Sequence, residues 1–246
     1  MEYITSSDFH FKDTAVALGK FEGIHRGHQL LMDEVKKQEL HGLRSVVFTF
    51  DRPTRLTLTG DTEYKQIYTK KERREILEKR GIDILIEHPF TKEFAALTPD
   101  RFIREVLVEK VGAKVIVVGT DFHFGKNRSG SITDLEKLEE ECGYHLIVVE
   151  KLQLNGKDIS STRIRASLEK GAMEEAKALL GRNYSVSGEI LHGNALGRTI
   201  QVPTINQQVP SFKLLPPNGV YVSKIHWKDE VYYGITNIGT KPTCLL

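Results

Sequence analysis

The stretch ALGKFEGIHRGHQLLM, Ala17 to Met32, decides the fold. An apolar run closes at Gly19 and a helical run opens near Arg26. Gly23, Gly27, His25 and His28 lie at the join. Glycine lets backbone come close to a ligand and tolerates positive φ. A helix starting here aims unpaired N–H groups and the positive end of its dipole at the mouth of the preceding strand, which makes an anion site. His25 and His28 are three apart, so they share a helix face. Imidazole N–H groups on that face can donate to phosphate oxygens and stabilise charge there. Two surface histidines at an ordinary turn is the plainer alternative. A metal site is disfavoured, because neither a carboxylate nor a third ligand stands at helical spacing.

Further along, the strand-to-helix pattern repeats. Val- and Ile-rich runs at 14–19, 44–50, 82–88, 113–119 and 144–150 are mostly apolar, as in strands buried on both faces of a parallel sheet. Helical patterns lie between them, at about 27–41, 69–80, 98–110 and 133–142. Thr133 and Glu136 have capping-box spacing, and Thr98-Pro99 has the form of an N-cap with proline at N1. The alternation predicts a doubly wound α/β domain with its ligand at the carboxyl ends of the strands. After residue 182 short alternating runs and prolines predict antiparallel β structure, with WKDEVYY as a hairpin turn and Gly181 as a helix stop. The expected domains are 1–182 and 183–246.

Composition narrows the function. Lys and Arg number 35 against 33 Asp and Glu, a net charge of +2, so no global field draws the chain to nucleic acid or a membrane surface. Cys142 and Cys244 stand apart without metal-ligand neighbours, which fits a reducing cytoplasm rather than a disulfide framework. MEYITSSDFHFK lacks the apolar core of a signal peptide, and no apolar run is long enough to span a bilayer.

Three other segments bear chemistry. In GKDISSTRIRASLEKG (156–171), Ser160, Ser161 and Thr162 open a helix and Arg163 and Arg165 add cations. Plain N-capping with solvated arginines explains this segment taken alone. Beside the first turn it forms the second jaw of a triphosphate clamp. VVGTDFHFGKNRSG (117–130) fails as a P-loop, because five residues separate Gly119 from Gly125 and Asn127 stands where Ser or Thr is required. Asp121, Phe122, Phe124 and Arg128 there suit a pocket for a planar heterocycle, or else an aromatic pair facing the core. TKKERREILEKR (69–80) is basic with few apolar residues, so it is expected to be a solvated helix face.

In chain order, GKFEGIHRGH, VVGTDFHFG, ISSTRIR, GRTIQVPTIN, LPPNGVYV and GITNIGTKPT resemble the bacterial bifunctional riboflavin kinase/FMN adenylyltransferase (FAD synthetase) family, from about residue 14 to 243. The resemblance implies a Rossmann-like nucleotidyltransferase domain followed by a riboflavin-kinase β-barrel. It implies FMN and Mg-ATP as substrates and FAD as product. His25, His28 and Arg165 would act on the phosphates. Gly19, Phe21, Gly23, Gly27, Asp121, Phe124, Gly125, Arg128, Ser161, Thr162 and Arg163 would bind ATP or flavin. Gly197, Arg198, Pro203, Thr204 and Asn206 would form the kinase nucleotide site, with Thr204 on Mg²⁺.

Departures from the family pattern are Glu22 for Asp, DRPTR (51–55) for D-P-H-P, and Gln201 for Gly. Arg52 or Arg55 would stand in for the missing histidine. The family continues beyond KPT to an acidic residue that activates riboflavin, so kinase turnover is expected to be absent or weak. A non-catalytic flavin- or nucleotide-binding paralogue, or a nucleotidyltransferase with another phosphate acceptor, are the competing expectations. Neither nucleic acid nor a membrane is an expected partner, and the sequence leaves the oligomeric state open.

Overall fold

A computed structural model describes residues 1–53, 60–61, 63–191 and 204–239. Its centre is a six-stranded parallel sheet. The strands are β1 (Glu2–Ile4), β2 (Thr14–Leu18), β3 (Arg44–Phe50), β4 (Ile84–His88), β5 (Ala113–Gly119) and β6 (His145–Val149), in the order β1-β4-β3-β2-β5-β6. β2 and β4 are buried at every position, including the polar Thr14, Glu87 and His88, as expected of central strands covered on both faces. Strand order reverses between β2 and β5, so the crevice at their carboxyl ends is the topological switch point. β1 was not anticipated: MEYI is too short for its alternation to register, yet Tyr3 in it donates to Glu87 on β4 (2.6 Å).

Helices cover both faces. α1 (Arg26–Lys37) and α2 (Lys70–Lys79) bring Leu31, Met32, Val35 and Leu77 against Ala15, Ala17, Val47 and Leu85. α3 (Pro99–Arg101, continuing as a π-helix over Phe102–Lys110) and α4 (Ile132–Cys142) cover the other face through Phe102, Ile103, Val106, Leu107 and Leu135. The sequence suggested a helix over 98–110 but not its wide turn. Pairs at 102/103 and 106/107 recur every four residues, a spacing that both helix types serve. Each such buried aliphatic or aromatic side chain is worth about 1.5–3 kcal/mol.

α4 corrects one expectation: its cap is Ser131 with Asp134, not Thr133 with Glu136. Thr98 caps α3 with Pro99 at N1. α2 is not merely a solvated face. Glu72 and Leu77 are buried, and Arg73 pairs with the buried Glu87. A basic sequence conceals this, because the partners lie on β4 and in the far end of the chain.

A third apolar cluster lies under α5 (Ser161–Glu169) and α6 (Met173–Leu180), where Ile164, Leu168, Leu179 and Leu180 meet Ile67, Tyr68 and Leu214. Gly181 ends α6 in the left-handed conformation, φ 71°. The remaining strands pair antiparallel. The short β7 (Gln153–Leu154) and β8 (Lys157–Asp158) form one pair, β9 (Glu189–Leu191) and β10 (Asn206–Gln208) another, and β11 (Gly219–Trp227) and β12 (Glu230–Ile238) a third. Lys228-Asp229 forms the β11–β12 hairpin turn, as WKDEVYY suggested.

Residues 184–187 and 213–214 dock on the parallel-sheet region. Lys213, itself buried, donates to Glu72 (2.7 Å) and to the carbonyls of Ile67 (2.7 Å) and Ser185 (3.0 Å). Tyr184 donates to Ile67 and Leu214 carbonyls. Burial lowers the Lys213 ammonium to about 8, against the pull of Glu72.

Candidate active site

The glycine-histidine turn sits at the carboxyl end of β2. Phe21 and Ile24 both hold positive φ, 45° and 41°. For a β-branched residue this is an unusual conformation, worth on the order of 1–3 kcal/mol of strain. His25 is the N-cap of α1: its Nδ1 accepts from the His28 backbone N–H (3.2 Å). An accepting Nδ1 leaves the proton of the neutral ring on Nε2, free to donate. The two imidazoles stack, centroids 3.6 Å apart and planes 18° from parallel. Gly27 makes this possible, since a Cβ there would stand 3.2 Å from His25 Nδ1.

Both rings are kept neutral. Burial lowers His25 to about 4, helped by the positive charge of Arg182 and opposed by Asp121. Burial, His25 and Arg182 lower His28 well below its usual value. His28 Nδ1 is a buried atom with no hydrogen-bond partner among the described residues. Neutral rings donate hydrogen bonds without the Coulomb attraction of imidazolium.

Two residues that the resemblance assigned to binding do something else. Phe21 is fully buried and meets the His28 ring edge-on, 5.1 Å between centroids. It supports His28 from beneath. A Cβ on Gly19 would lie 2.9 Å from the Phe21 ring, so Gly19 is small for Phe21's sake.

The start of α5 meets this turn. Ser160 caps the helix by accepting from the Arg163 N–H (3.3 Å). A Cβ on Gly23 would lie 3.4 Å from Ile164 and 3.7 Å from Ser161 Oγ. Thr162 is exposed on the same first turn. Arg165 donates to the Glu22 carboxylate and to the Lys65 carbonyl, with its guanidinium 4.1 Å from the Tyr64 ring centre. Glu22 also accepts from Tyr64 (2.8 Å) and from the Ile67 N–H (3.3 Å). Arg163 turns away: it pairs with Glu175 (3.0 Å) and donates to the Leu154 and Lys157 carbonyls. It ties α5 to α6 and the β7–β8 turn, a use that sequence spacing could not distinguish from phosphate contact.

The 119–130 loop contributes its edge rather than its aromatics. Asp121 is exposed, pairs with Lys151 (3.2 Å), and its charge reaches His25. Arg128 is exposed, and its charge, after burial, lowers Lys20. Phe124 is buried against Phe102 and stacked on Phe122, so the core-facing alternative holds for it. Gly125, φ 70°, fits against Pro99, 3.1 Å from where a Cβ would be.

A cleft beside the turn is lined by Lys20, Glu22, Phe50, Asp51, Tyr64 and Tyr68, among others. Glu22 and Tyr64 were not singled out as site residues, because their role depends on Arg165 arriving from far along the chain. Arg52 is exposed and paired with Asp51 (3.0 Å). Thr204 is exposed and Asn206 begins β10. Gly197, Arg198, Gln201, Pro203, Arg55 and Cys244 lie outside the described residues.

Residues 8–163 match the family described as FAD synthetase, and residues 180–245 match the one described as riboflavin kinase. A bifunctional riboflavin kinase/FMN adenylyltransferase of Bacillus subtilis (strain 168) is 36% identical over 233 residues, 94% of this chain and 73% of that protein. Its counterpart in Buchnera aphidicola subsp. Schizaphis graminum (strain Sg) is 34% identical over 235 residues, 94% of this chain and 75% of that protein. A crystal structure from Streptococcus pneumoniae, described as a macrolide-efflux protein, superposes with a TM-score of 0.88 at 30% identity, covering 99% of this chain and 81% of that one. No helix among the described residues is long and apolar enough to cross a membrane. With a switch-point crevice, a stacked histidine pair and two family models in tandem, the chain belongs to the bifunctional riboflavin kinase/FMN adenylyltransferase (FAD synthetase) family.

Proposed function

We propose that this chain transfers AMP from ATP to FMN, giving FAD and pyrophosphate. An oxygen of the FMN phosphate attacks the α-phosphorus of ATP. The new P–O bond forms as the bond to the β-phosphate oxygen breaks, and that oxygen keeps the electron pair as pyrophosphate leaves. The attacking oxygen is already anionic, so no strong base is needed. Positioning and neutralisation of charge carry the rate. His25 Nε2–H, His28 and the free N–H groups of α1 face the triphosphate. Ser161, Thr162 and Arg165 hold it from α5. Asp121 and the Lys20 side of the crevice bound the remaining mouth.

Mg²⁺ enters on ATP as part of the substrate. Among the described residues no group of three His, Cys, Asp or Glu side chains could hold it. Magnesium is commonly carried on phosphates with one or two carboxylates, so the protein needs no dedicated cage.

The observation that carries this reading is the His25–His28 stack at the N-terminus of α1 with the start of α5 against Gly23. FAD formation from FMN and Mg-ATP by the purified chain is its test. Turnover only with a different phosphate acceptor would favour a relative of altered specificity. Flavin and ATP binding without turnover would favour a non-catalytic paralogue. The region after residue 182 is proposed to descend from the module that phosphorylates riboflavin with ATP, Thr204 and Asn206 lying in its nucleotide motif.

A further inference from the structure

Arg182 sits in the part of the chain that matches the riboflavin kinase family, beyond the FAD synthetase match. Its guanidinium nevertheless lies in the first site. Nη1 donates to the Ile24 carbonyl (2.8 Å) and Nη2 to the Gly23 carbonyl (2.9 Å). Nη1 also donates to the Leu180 carbonyl (3.2 Å), and the plane lies over the Tyr68 ring, 5.0 Å from its centre. Gln29 on α1 closes the same joint, donating to Ile24 O (3.0 Å) and Leu180 O (2.8 Å). These donors grip the carbonyls of the two peptides that flank Ile24, whose φ is strained. A strained turn persists only where its surroundings over-determine it.

We propose that Arg182 is a positioning residue for adenylyl transfer: from the end of the helix pair that follows the FAD synthetase match it clamps the Gly23 and Ile24 carbonyls, fixing the turn that aims His25 and His28.

The clamp has two consequences. Held by their carbonyls, Gly23 and Ile24 fix where His25 caps α1 and where the stacked rings point. The cation also works on the rings from behind. Arg182 and Asp121 bear on His25, His25 and Arg182 bear on His28, and Arg182 disfavours protonation of both rings. Arg182 itself is desolvated by burial and influenced by Tyr68 and Arg80. A clamp of this kind makes the first site incomplete without residues 180–182, although its binding groups all come from earlier in the chain.

The proposal rests on the adenylyl-transfer reading, so the test has an arm that does not. Arg182→Gln and Arg182→Lys are made in the full chain and compared with wild type. FAD formation is followed against pH, the histidine rings are titrated by NMR, and thermal stability is recorded. With Arg182→Gln, kcat is expected to fall on the order of a hundredfold, as for small misplacements of catalytic groups. KM for FMN stays near wild type, and the His25 and His28 titrations move up toward ordinary imidazole. Arg182→Lys keeps the charge but offers one nitrogen in place of the two that separately hold the Gly23 and Ile24 carbonyls, so its ring titrations stay low while kcat recovers only in part. Should Arg182→Gln fail to fold, Arg182→Lys is read instead: wild-type kcat in it refutes the need for the two-nitrogen clamp. Wild-type kcat and unmoved titrations in folded Arg182→Gln overturn the proposal outright. Absence of FAD formation by wild type would sink the adenylyl-transfer reading, and the ring titrations would still judge Arg182.

Discussion

Arg165 is held by Glu22, 143 residues earlier in the chain, at the edge of the histidine turn. The cation proposed for the triphosphate therefore already has an anion, the Lys65 carbonyl and the Tyr64 ring as partners. Both side chains of the pair are more than four-fifths shielded from solvent, at 16% and 18% exposure. An incoming polyphosphate must take Arg165 over from this carboxylate.

Glu22→Gln follows directly. It leaves a shielded guanidinium without its anion, which destabilises the free protein relative to the ATP-bound one. The variant is expected to melt earlier than wild type yet to gain more stability on adding Mg-ATP, with a lower KM for ATP and kcat within about threefold. A smaller ATP-induced rise in Tm than wild type would mean that Glu22 does not compete for Arg165.

His28→Ala removes one ring of the stack and leaves Phe21 facing a void. A preorganised phosphate donor is typically worth a factor of about a hundred or more in kcat. Steady-state FAD formation reads this out, and a near-wild-type rate would remove His28 from the mechanism.

The buried His25 ring links stability to acidity. Its folded-state value, about 4, lies below the ordinary 6.5, so the unfolded chain binds the proton more readily. Its stabilising contribution is complete above pH 6.5 and is lost as pH falls toward 4, amounting to on the order of 2–3 kcal/mol. Chemical denaturation at pH 7.5 and pH 4.5 should show that loss, and His25→Asn should make the dependence shallower, with His28 supplying part of what remains. An equally steep dependence in the variant would place the cause elsewhere.

Lys213 and Glu72 lock the second region to α2. Lys213→Met strands a buried carboxylate, still bonded by the Thr69 and Ser187 N–H groups, at a cost of about 3–5 kcal/mol. The Glu72→Gln/Lys213→Met double variant should recover a large part of that. Limited proteolysis between residues 182 and 214 gives an independent reading, since an undocked segment is cut faster. If the double variant is as unstable as the single, the pair is not what matters.

Riboflavin phosphorylation by this 246-residue polypeptide is expected to be absent or slow. β11 and β12 expose Val220, Val222, Tyr233 and Ile235 by 71%, 90%, 78% and 77%, so among the described residues no neighbouring layer covers that hairpin. A kinase site needs its strands fixed against one another to hold Mg-ATP. Brisk conversion of riboflavin to FMN would contradict this.

The sequence by itself determined the five long strands of the parallel sheet, the positions of the main helices, the switch to antiparallel structure near residue 182 and the placing of the glycine-histidine turn between a buried strand and a helix. Those features are written in local periodicity and in glycine and cap residues, which act over a few neighbours. It could not assign Arg163, Phe124 or Phe21 between ligand and scaffold, because both uses ask for the same residue at the same spacing. Only the tertiary structure decided that Glu22 holds Arg165, that Lys213 is buried on Glu72 and that Arg182 reaches the Gly23 and Ile24 carbonyls. These are pairings between groups more than a hundred residues apart. Burial fixes them: once desolvated, a charge or carbonyl must be met by whatever the packed chain brings within reach, and no local pattern records what that will be.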